Sequence, residues 1–221
     1  MPDTFLYSQY LQNIKNTTKK LTVPIRYAML FITYNLSIYW RPFMKRINKL
    51  LSHPDFTKNL NHLAILEKDR IYCRHDLSHL LDVARIACLL QYKKAETNLK
   101  STILFSDEII YAAALLHDLG RVFQYEQGLP HEIAGLMLAK KILIDCDFIK
   151  SEQVLILDAI QFHRKDPNLF FDTTENKEKK EILSLRSLLY HADKLSRNCF
   201  ACNASDSCYW SESEKNKGIT Y

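Results

Sequence analysis

Residues 107–120 read DEIIYAAALLHDLG. An acidic residue opens the stretch, a run of helix-forming apolar residues follows, and a His-Asp pair stands just ahead of Leu-Gly. Asp107 is the expected cap, because a side-chain oxygen there accepts from the orphan amides of a first turn. Ile109, Ile110 and the alanines carry the helix to His117, and Gly120 suits its C-terminus. The pair His117-Asp118 is thus expected at a helix end, on a face otherwise made of Leu, Ile and Ala. An unpaired carboxylate is costly to bury, so Asp118 in such company calls for a cation.

Four more segments read as helices. Over residues 76–90, His79, Val83, Ile86 and Leu90 recur at spacings of four, three and four, the signature of one helical face. Pro130 suits a first helical position, and Ile133, Leu136, Met137 and Ile144 are expected on a common apolar side downstream of His131. After Ser151, Leu155, Ile156, Ala159 and His163 fall at helical spacing, and over residues 181–197 Ile182, Leu185, Leu189 and Asp193 do the same. A lone histidine on an apolar face is ordinarily a hydrogen-bonded core residue. Five segments that each deliver a histidine or aspartate point instead to a shared metal site.

The rest of the composition agrees with an all-α class. Four glycines and six prolines in 221 residues leave too few turn residues for a many-stranded sandwich or barrel. A hydrophobic share of 47% is enough for a real core. We expect an N-terminal helical extension over residues 1–50, basic and aromatic-rich, a break at His53-Pro54, a main domain over residues 51–200 and a cysteine-containing tail over residues 201–221. Polar stretches at 93–101 and 166–180 read as surface connections. Residues 27–40, YAMLFITYNLSIYW, are apolar but contain Asn35 and Ser37 and fall short of the about 20 residues a bilayer requires, so an amphipathic packing helix is expected there and membrane contact is not. With no signal-peptide pattern and cysteines too dilute for a disulfide scaffold, the expected setting is reducing and cytoplasmic. The net charge of +5 is spread among acidic residues, which argues against a nucleic-acid polymer and leaves room for a small anionic substrate. Oligomeric state is not written in these features.

His79 in SHLLDVARIA, His117-Asp118 in AAALLHDLG and Asp193 in YHADKLS together resemble the HD-domain metal-dependent phosphohydrolase superfamily, whose pattern is a histidine, a His-Asp pair after an apolar run, and a distant aspartate. The resemblance spans residues 70–200 and implies an HD-domain helical bundle. His131 in LPHEIAG and His163 in AIQFHRK stand where members with a dinuclear site place additional ligands. By that resemblance Asp118 bridges two ions, with His79, His117 and Asp193 on one and His131 and His163 on the other; a single ion on His79, His117, Asp118 and Asp193 is the simpler alternative. Mixed imidazole and carboxylate ligands suit Fe, Mn, Zn or Co without selecting among them.

The implied reaction is hydrolysis of a phosphate ester or anhydride on a nucleotide-like substrate, with water made nucleophilic by the metal. Asp118, Arg121 and Lys194 are the expected catalytic residues. Lys194 is the strongest of four cationic candidates because Ala-Asp-Lys resembles the family motif; Arg164 and Lys165 are the others. His75, one turn before His79, is a candidate proton shuttle, while His53, His62 and His191 read as structural. Neither a nucleophile elbow nor a glycine-rich phosphate loop is present in the sequence, which leaves water as the nucleophile. The same six ligands would also serve an HD-fold di-iron oxygenase acting on a polyol or phosphonate, or a non-catalytic sensor or scaffold.

The segment NCFACNASDSCYW adds a run of Cys199, Cys202 and Cys208. A closed structural site needs four ligands. Cys73 stands six residues before His79 and Cys199 six after Asp193; on antiparallel helices these equal offsets of about 9 Å bring the two together. A second metal centre of Cys73, Cys199, Cys202 and Cys208, holding zinc or an iron–sulfur cluster, is therefore expected, against the alternative of free thiols. Cys88 and Cys146 lie in apolar helical stretches and read as core thiols.

Overall fold

The computed structural model describes residues 44–97, 104–167 and 184–220. Among them are nine α-helices and no strand: α1 (Lys45–Leu51), α2 (Pro54–Leu66), α3 (Leu77–Thr97), α4 (Asp107–Leu116), α5 (Arg121–Gln127), α6 (His131–Ala134), α7 (Leu136–Asp145), α8 (Lys150–Phe162) and α9 (Leu185–Leu195). Two short 3-10 turns follow at Cys199–Ala201 and Ser205–Ser207. The helices belong to one compact unit, Met44–Tyr221. The expected N-terminal extension before residue 44, including residues 27–40, lies outside the described residues, as do most of residues 166–180. No described helix is long and apolar enough to cross a membrane.

Helix α4 is the centre of the bundle. Ile110, the three alanines at 112–114, Leu115 and Leu116 are all buried, as expected of a helix apolar on every side. It packs against α1, α3, α8 and α9, and the small alanines let those neighbours come close. α1 runs across residue 50, burying Ile47 and Leu50 in the core, and its Arg46 bonds Glu108 of α4 and Glu152 of α8, each at 2.6 Å, over the Phe148 ring. His53 caps α2, accepting from the Asp55 amide at 3.2 Å, with Pro54 as the first helical residue.

Several local expectations are corrected. Ser106, not Asp107, caps α4, its side chain accepting from the Ile109 amide, while the Asp107 carboxylate accepts from Tyr92 at 2.8 Å. Gly120 does not end a helix in the left-handed region: its φ is −65°. A Cβ there would stand 2.0 Å from the His131 carbonyl oxygen and 2.7 Å from the Gly135 amide nitrogen, so glycine is required by the close crossing of two backbones. The pattern from Pro130 breaks at Gly135 into α6 and α7, with Pro130 as cap and not first residue. The buried face of α7 becomes Ala139, Ile142 and Leu143, and Met137 is left 77% exposed. In α8 the buried set is Ile156, Ala159 and Ile160, with Leu155 exposed.

Candidate metal centre

Five helices aim ligand-type side chains at one point. His79 sits in the first turn of α3, His117 and Asp118 just beyond α4, His131 at the start of α6, His163 just beyond α8, and Asp193 in the last turn of α9. The carboxylate of Asp118 is the hub. Its Oδ2 lies 3.1 Å from Nε2 of His117 and 3.4 Å from Nε2 of His79, and its Oδ1 lies 3.2 Å from Nε2 of His131. Oδ1 of Asp193 faces His79 at 3.6 Å and His117 at 3.9 Å, and Nε2 of His163 is 3.3 Å from Nε2 of His131. Two sets of ligand atoms, each mutually within 4.8 Å, share Asp118: one with His79, His117 and Asp193, the other with His131 and His163.

The other ring nitrogens decide what these histidines offer. Nδ1 of His117 meets the Ala114 carbonyl at 2.7 Å, Nδ1 of His163 the Ile160 carbonyl at 2.6 Å, and Nδ1 of His131 the Gln124 side-chain oxygen at 2.8 Å. All three partners only accept, so Nδ1 donates in each. Ser196 donates its hydroxyl proton to the Asp193 carbonyl at 2.7 Å, which leaves its oxygen to accept from Nδ1 of His79 at 3.2 Å. Every Nε2 of a neutral ring therefore carries a lone pair, and each faces a carboxylate oxygen or another lone pair. A cation resolves that arrangement. His79 Nε2, His117 Nε2 and Asp118 Oδ2 are buried without a hydrogen-bond partner, a cost of about 1–3 kcal/mol each if nothing binds them. The donor set thus fits a divalent transition metal, with outer partners of the kind that fix metal-binding histidines.

Electrostatics mark the same point. Burial alone would raise the Asp118 carboxyl, but the charges of His117 and Arg121 beside it hold it well below the usual carboxylate range. Burial likewise opposes charge on His117, yet Asp118 and Asp193 raise its pKa. His163, buried and close to His117, is pushed down to about 4. The two ligand sets differ in one respect: Asp118 Oδ2 has no partner, whereas Oδ1 already accepts from Nε of Arg121 at 2.7 Å.

A cavity of 480 Å³ opens beside the hub. Arg70, Arg121, Arg164, Lys194 and Arg197 line it, with Tyr209 and Trp210 of the tail. Lys194 lies over the Tyr190 ring at 3.5 Å, and burial lowers its pKa. Lys165 sits over the Phe162 ring and is not among the lining residues. Nε2 of His75 is 3.9 Å from Asp118 Oδ2, and its Nδ1 donates to Glu67 at 2.6 Å. Glu67 also accepts from the His75 amide at 2.8 Å and from Tyr125 at 2.7 Å. Burial would raise this carboxyl, but the His75 bond and charge bring it down to about 2. Glu67, Gln124, Tyr125 and Ser196 were not legible as site residues, since their partners are fixed only by tertiary packing; a motif search around the ligands would have reached Ser196 alone, three residues after Asp193.

The family model for the HD domain matches residues 76–198, which include all six ligand-type residues. The chain belongs to the HD-domain family. An uncharacterized protein of Clostridium beijerinckii (strain ATCC 51743 / NCIMB 8052) is 38% identical to this HD-domain chain over 178 residues, covering 80% of it and 100% of the relative. Among solved structures, that of a predicted HD superfamily hydrolase from an uncultured Thermotogales bacterium matches with a TM-score of 0.46 and 23% identity, over 73% of this chain and 82% of that one.

The four cysteines of the expected second centre, Cys73, Cys199, Cys202 and Cys208, line a separate cavity of 300 Å³. All are free and half-buried. Burial, with the Cys199 and Cys208 sulfurs nearby, pushes the Cys73 thiol up. Cys146 is fully buried and Cys88 packs half-buried against the core.

Proposed function

We propose that this HD-domain chain is a metal-dependent phosphohydrolase, acting on a phosphate ester or anhydride of a small, nucleotide-like anion in the cytoplasm. Its site would hold two divalent transition metals, one on His79, His117, Asp118 and Asp193 and one on Asp118, His131 and His163. The observation that carries the reading is the buried Asp118 carboxylate, common to both ligand sets, beneath a cavity lined by five cationic side chains. Bound metal would supply a nucleophilic water near neutral pH and polarise a phosphoryl oxygen.

The chain's own residues account for the rest. Arg121, anchored through Nε on Asp118, offers a guanidinium fork suited to the nonbridging oxygens of phosphate. Lys194, beside Asp193, adds a compact charge on the same cavity wall. His75 donates through Nδ1 to Glu67, which leaves its Nε2 lone pair facing the centre, where it can take a proton from the attacking water or return one to the departing oxygen. The five cationic side chains on the cavity wall favour an anionic substrate over a neutral polyol.

The test pairs two measurements on protein purified anaerobically: phosphate release from a panel of nucleotides and phosphodiesters, and oxygen uptake on polyols and phosphonates. Phosphate release that a chelator abolishes and added divalent metal restores is the expected result. Oxygen consumption with no phosphate release would overturn it.

A further inference from the structure

The tail after α9 adds no residue to the buried core. Among residues 197–220 not one is buried, and their only regular structure is two three-residue turns. A segment of that length with no core of its own needs a staple. Yet it is threaded closely back onto the bundle: Asn216 donates to the carbonyls of Lys194, Leu195 and Arg197, and Lys215 to that of Ser205. Tyr72 donates to the Ser207 carbonyl at 2.9 Å and meets the Tyr209 ring edge-on at 5.9 Å.

Both short turns end on a cysteine. Cys202 caps the turn at Cys199–Ala201 and Cys208 the turn at Ser205–Ser207, and Cys73 comes from the loop ahead of α3. The four cysteines are among the residues that line the 300 Å³ cavity. Around one zinc, with Zn–S bonds of about 2.3 Å, tetrahedral sulfurs would stand only ~3.8 Å apart. No three of these sulfurs are mutually within 4.8 Å: the ligand sets that close to that distance among the described residues are the two built on Asp118. A cluster interposes its own irons and sulfides and so holds four thiolates further apart. Such a cluster is anionic, and the charged residues that line the cavity are three cations, Arg74, Arg197 and Lys215, against two carboxylates, Asp76 and Asp82. Arg197 lies over the Trp210 ring at 4.0 Å, with its Nη1 buried and without a hydrogen-bond partner.

We propose that Cys73, Cys199, Cys202 and Cys208 bind an iron–sulfur cluster that fastens the C-terminal tail to the bundle. Cys73, His79 and Arg197 line both cavities, and Tyr209 and Trp210, next to Cys208, form a wall of the one beside Asp118. The cluster therefore also holds part of the substrate cavity in place, through the tail.

Acid-labile sulfide is the discriminating readout, because the histidine centre can hold iron but not sulfide. Full-length protein is purified anaerobically, reconstituted with ferrous iron and sulfide, and desalted. About two or about four sulfides per chain are expected, for a 2Fe–2S or a 4Fe–4S cluster on four cysteines, with a broad visible absorption that bleaches on reduction. Sulfide should be lost in Cys202→Ser and Cys208→Ser and kept in Cys88→Ala and Asp118→Ala, and the tail should become the first site of proteolysis when the cluster is removed. Wild-type protein without sulfide after reconstitution, stoichiometric zinc in its place, or sulfide surviving in both serine variants would each overturn the proposal. The wild-type sulfide content decides even if the serine variants fail to fold.

Discussion

The histidine centre and the cysteine cavity sit side by side and share His79 as a lining or member residue, yet they are made differently. At the histidine centre every side chain stands on or beside an α-helix, each ring is turned by a second partner, and the ligand atoms are already close. At the cysteine cavity the thiols hang from a loop and two 3-10 turns, half-buried and open. The first is imposed by the bundle, whereas the second is where a centre would impose order on a tail. Loss of metal should therefore empty the first without unfolding it, and loss of the cluster should release the structure around the second.

The largest effect should come from Asp118→Ala. Removing the one carboxylate shared by both ligand sets should abolish hydrolysis, by about a thousandfold or more, and strip metal from both positions while helical content stays near wild type and tail sulfide is untouched. His117→Ala should behave alike. Metal analysis beside circular dichroism checks this; unchanged metal stoichiometry in both variants would break the distinction between an imposed and an imposing centre. Next in size is the difference between the two halves of the histidine centre. His131→Ala or His163→Ala should remove one ion and spare that held by His79, His117 and Asp193. Equal loss of both ions, or of neither, would argue against a two-metal site.

What was legible in the sequence follows the same division. The all-α class could be read because spacing along a helix fixes a direction, and His79, His117 and Asp193 each sit on or beside a helix long enough to show its period; the HD-domain fold and the set of six ligand-type residues, which the structure brings together, came from the resemblance of their motifs. The face of α7 was not legible. Ile133, Met137 and Ile144, which counting puts on one apolar side, are all exposed, and the core instead takes Ala139, Ile142 and Leu143; with apolar residues on both sides of the helix, periodicity alone does not say which side is buried. Glu67 was hidden for a related reason: in the stretch ILEKDRI it looks like any surface acid, and only the fold of residues 67–75 brings it under His75.

The crossing itself is open to test, with an effect smaller than loss of the centre. Gly120→Ala would put a methyl group 2.0 Å from the His131 carbonyl oxygen, a backbone atom with no rotamer to yield. Destabilisation of about 3 kcal/mol is expected, read as a lower midpoint in urea. His131 should shift with the strand of backbone it belongs to, so the metal position it serves should weaken. The cysteine-bound sulfide should not change. A Gly120→Ala protein as stable as wild type would mean that the two backbones can part freely, and that His131 is less firmly imposed than its neighbours suggest.

The smallest predicted effect lies one layer beneath the histidine centre. Glu67 has a pKa of about 2 in the folded protein against an ordinary 4.5, because the bond and charge of His75 outweigh the penalty of burial. The unfolded chain therefore binds more protons than the folded one between those values, and stability must rise with pH across that window. This contribution is fully present above about pH 4.5 and fades as pH falls toward 2, where both states are protonated. Glu67→Gln keeps the shape but removes the titration, so stability plotted against pH should be flatter for the variant in that window, and the two curves should run parallel above it. Urea midpoints taken at intervals from acid to neutral pH provide the comparison. Parallel curves throughout would mean that Glu67 titrates normally, and His75 would then lose the anchored Nδ1 donor bond that turns its Nε2 lone pair toward Asp118. No equivalent dyad stands behind the cysteine cavity among the described residues, so Cys202→Ser should leave this acid limb as it is in wild type.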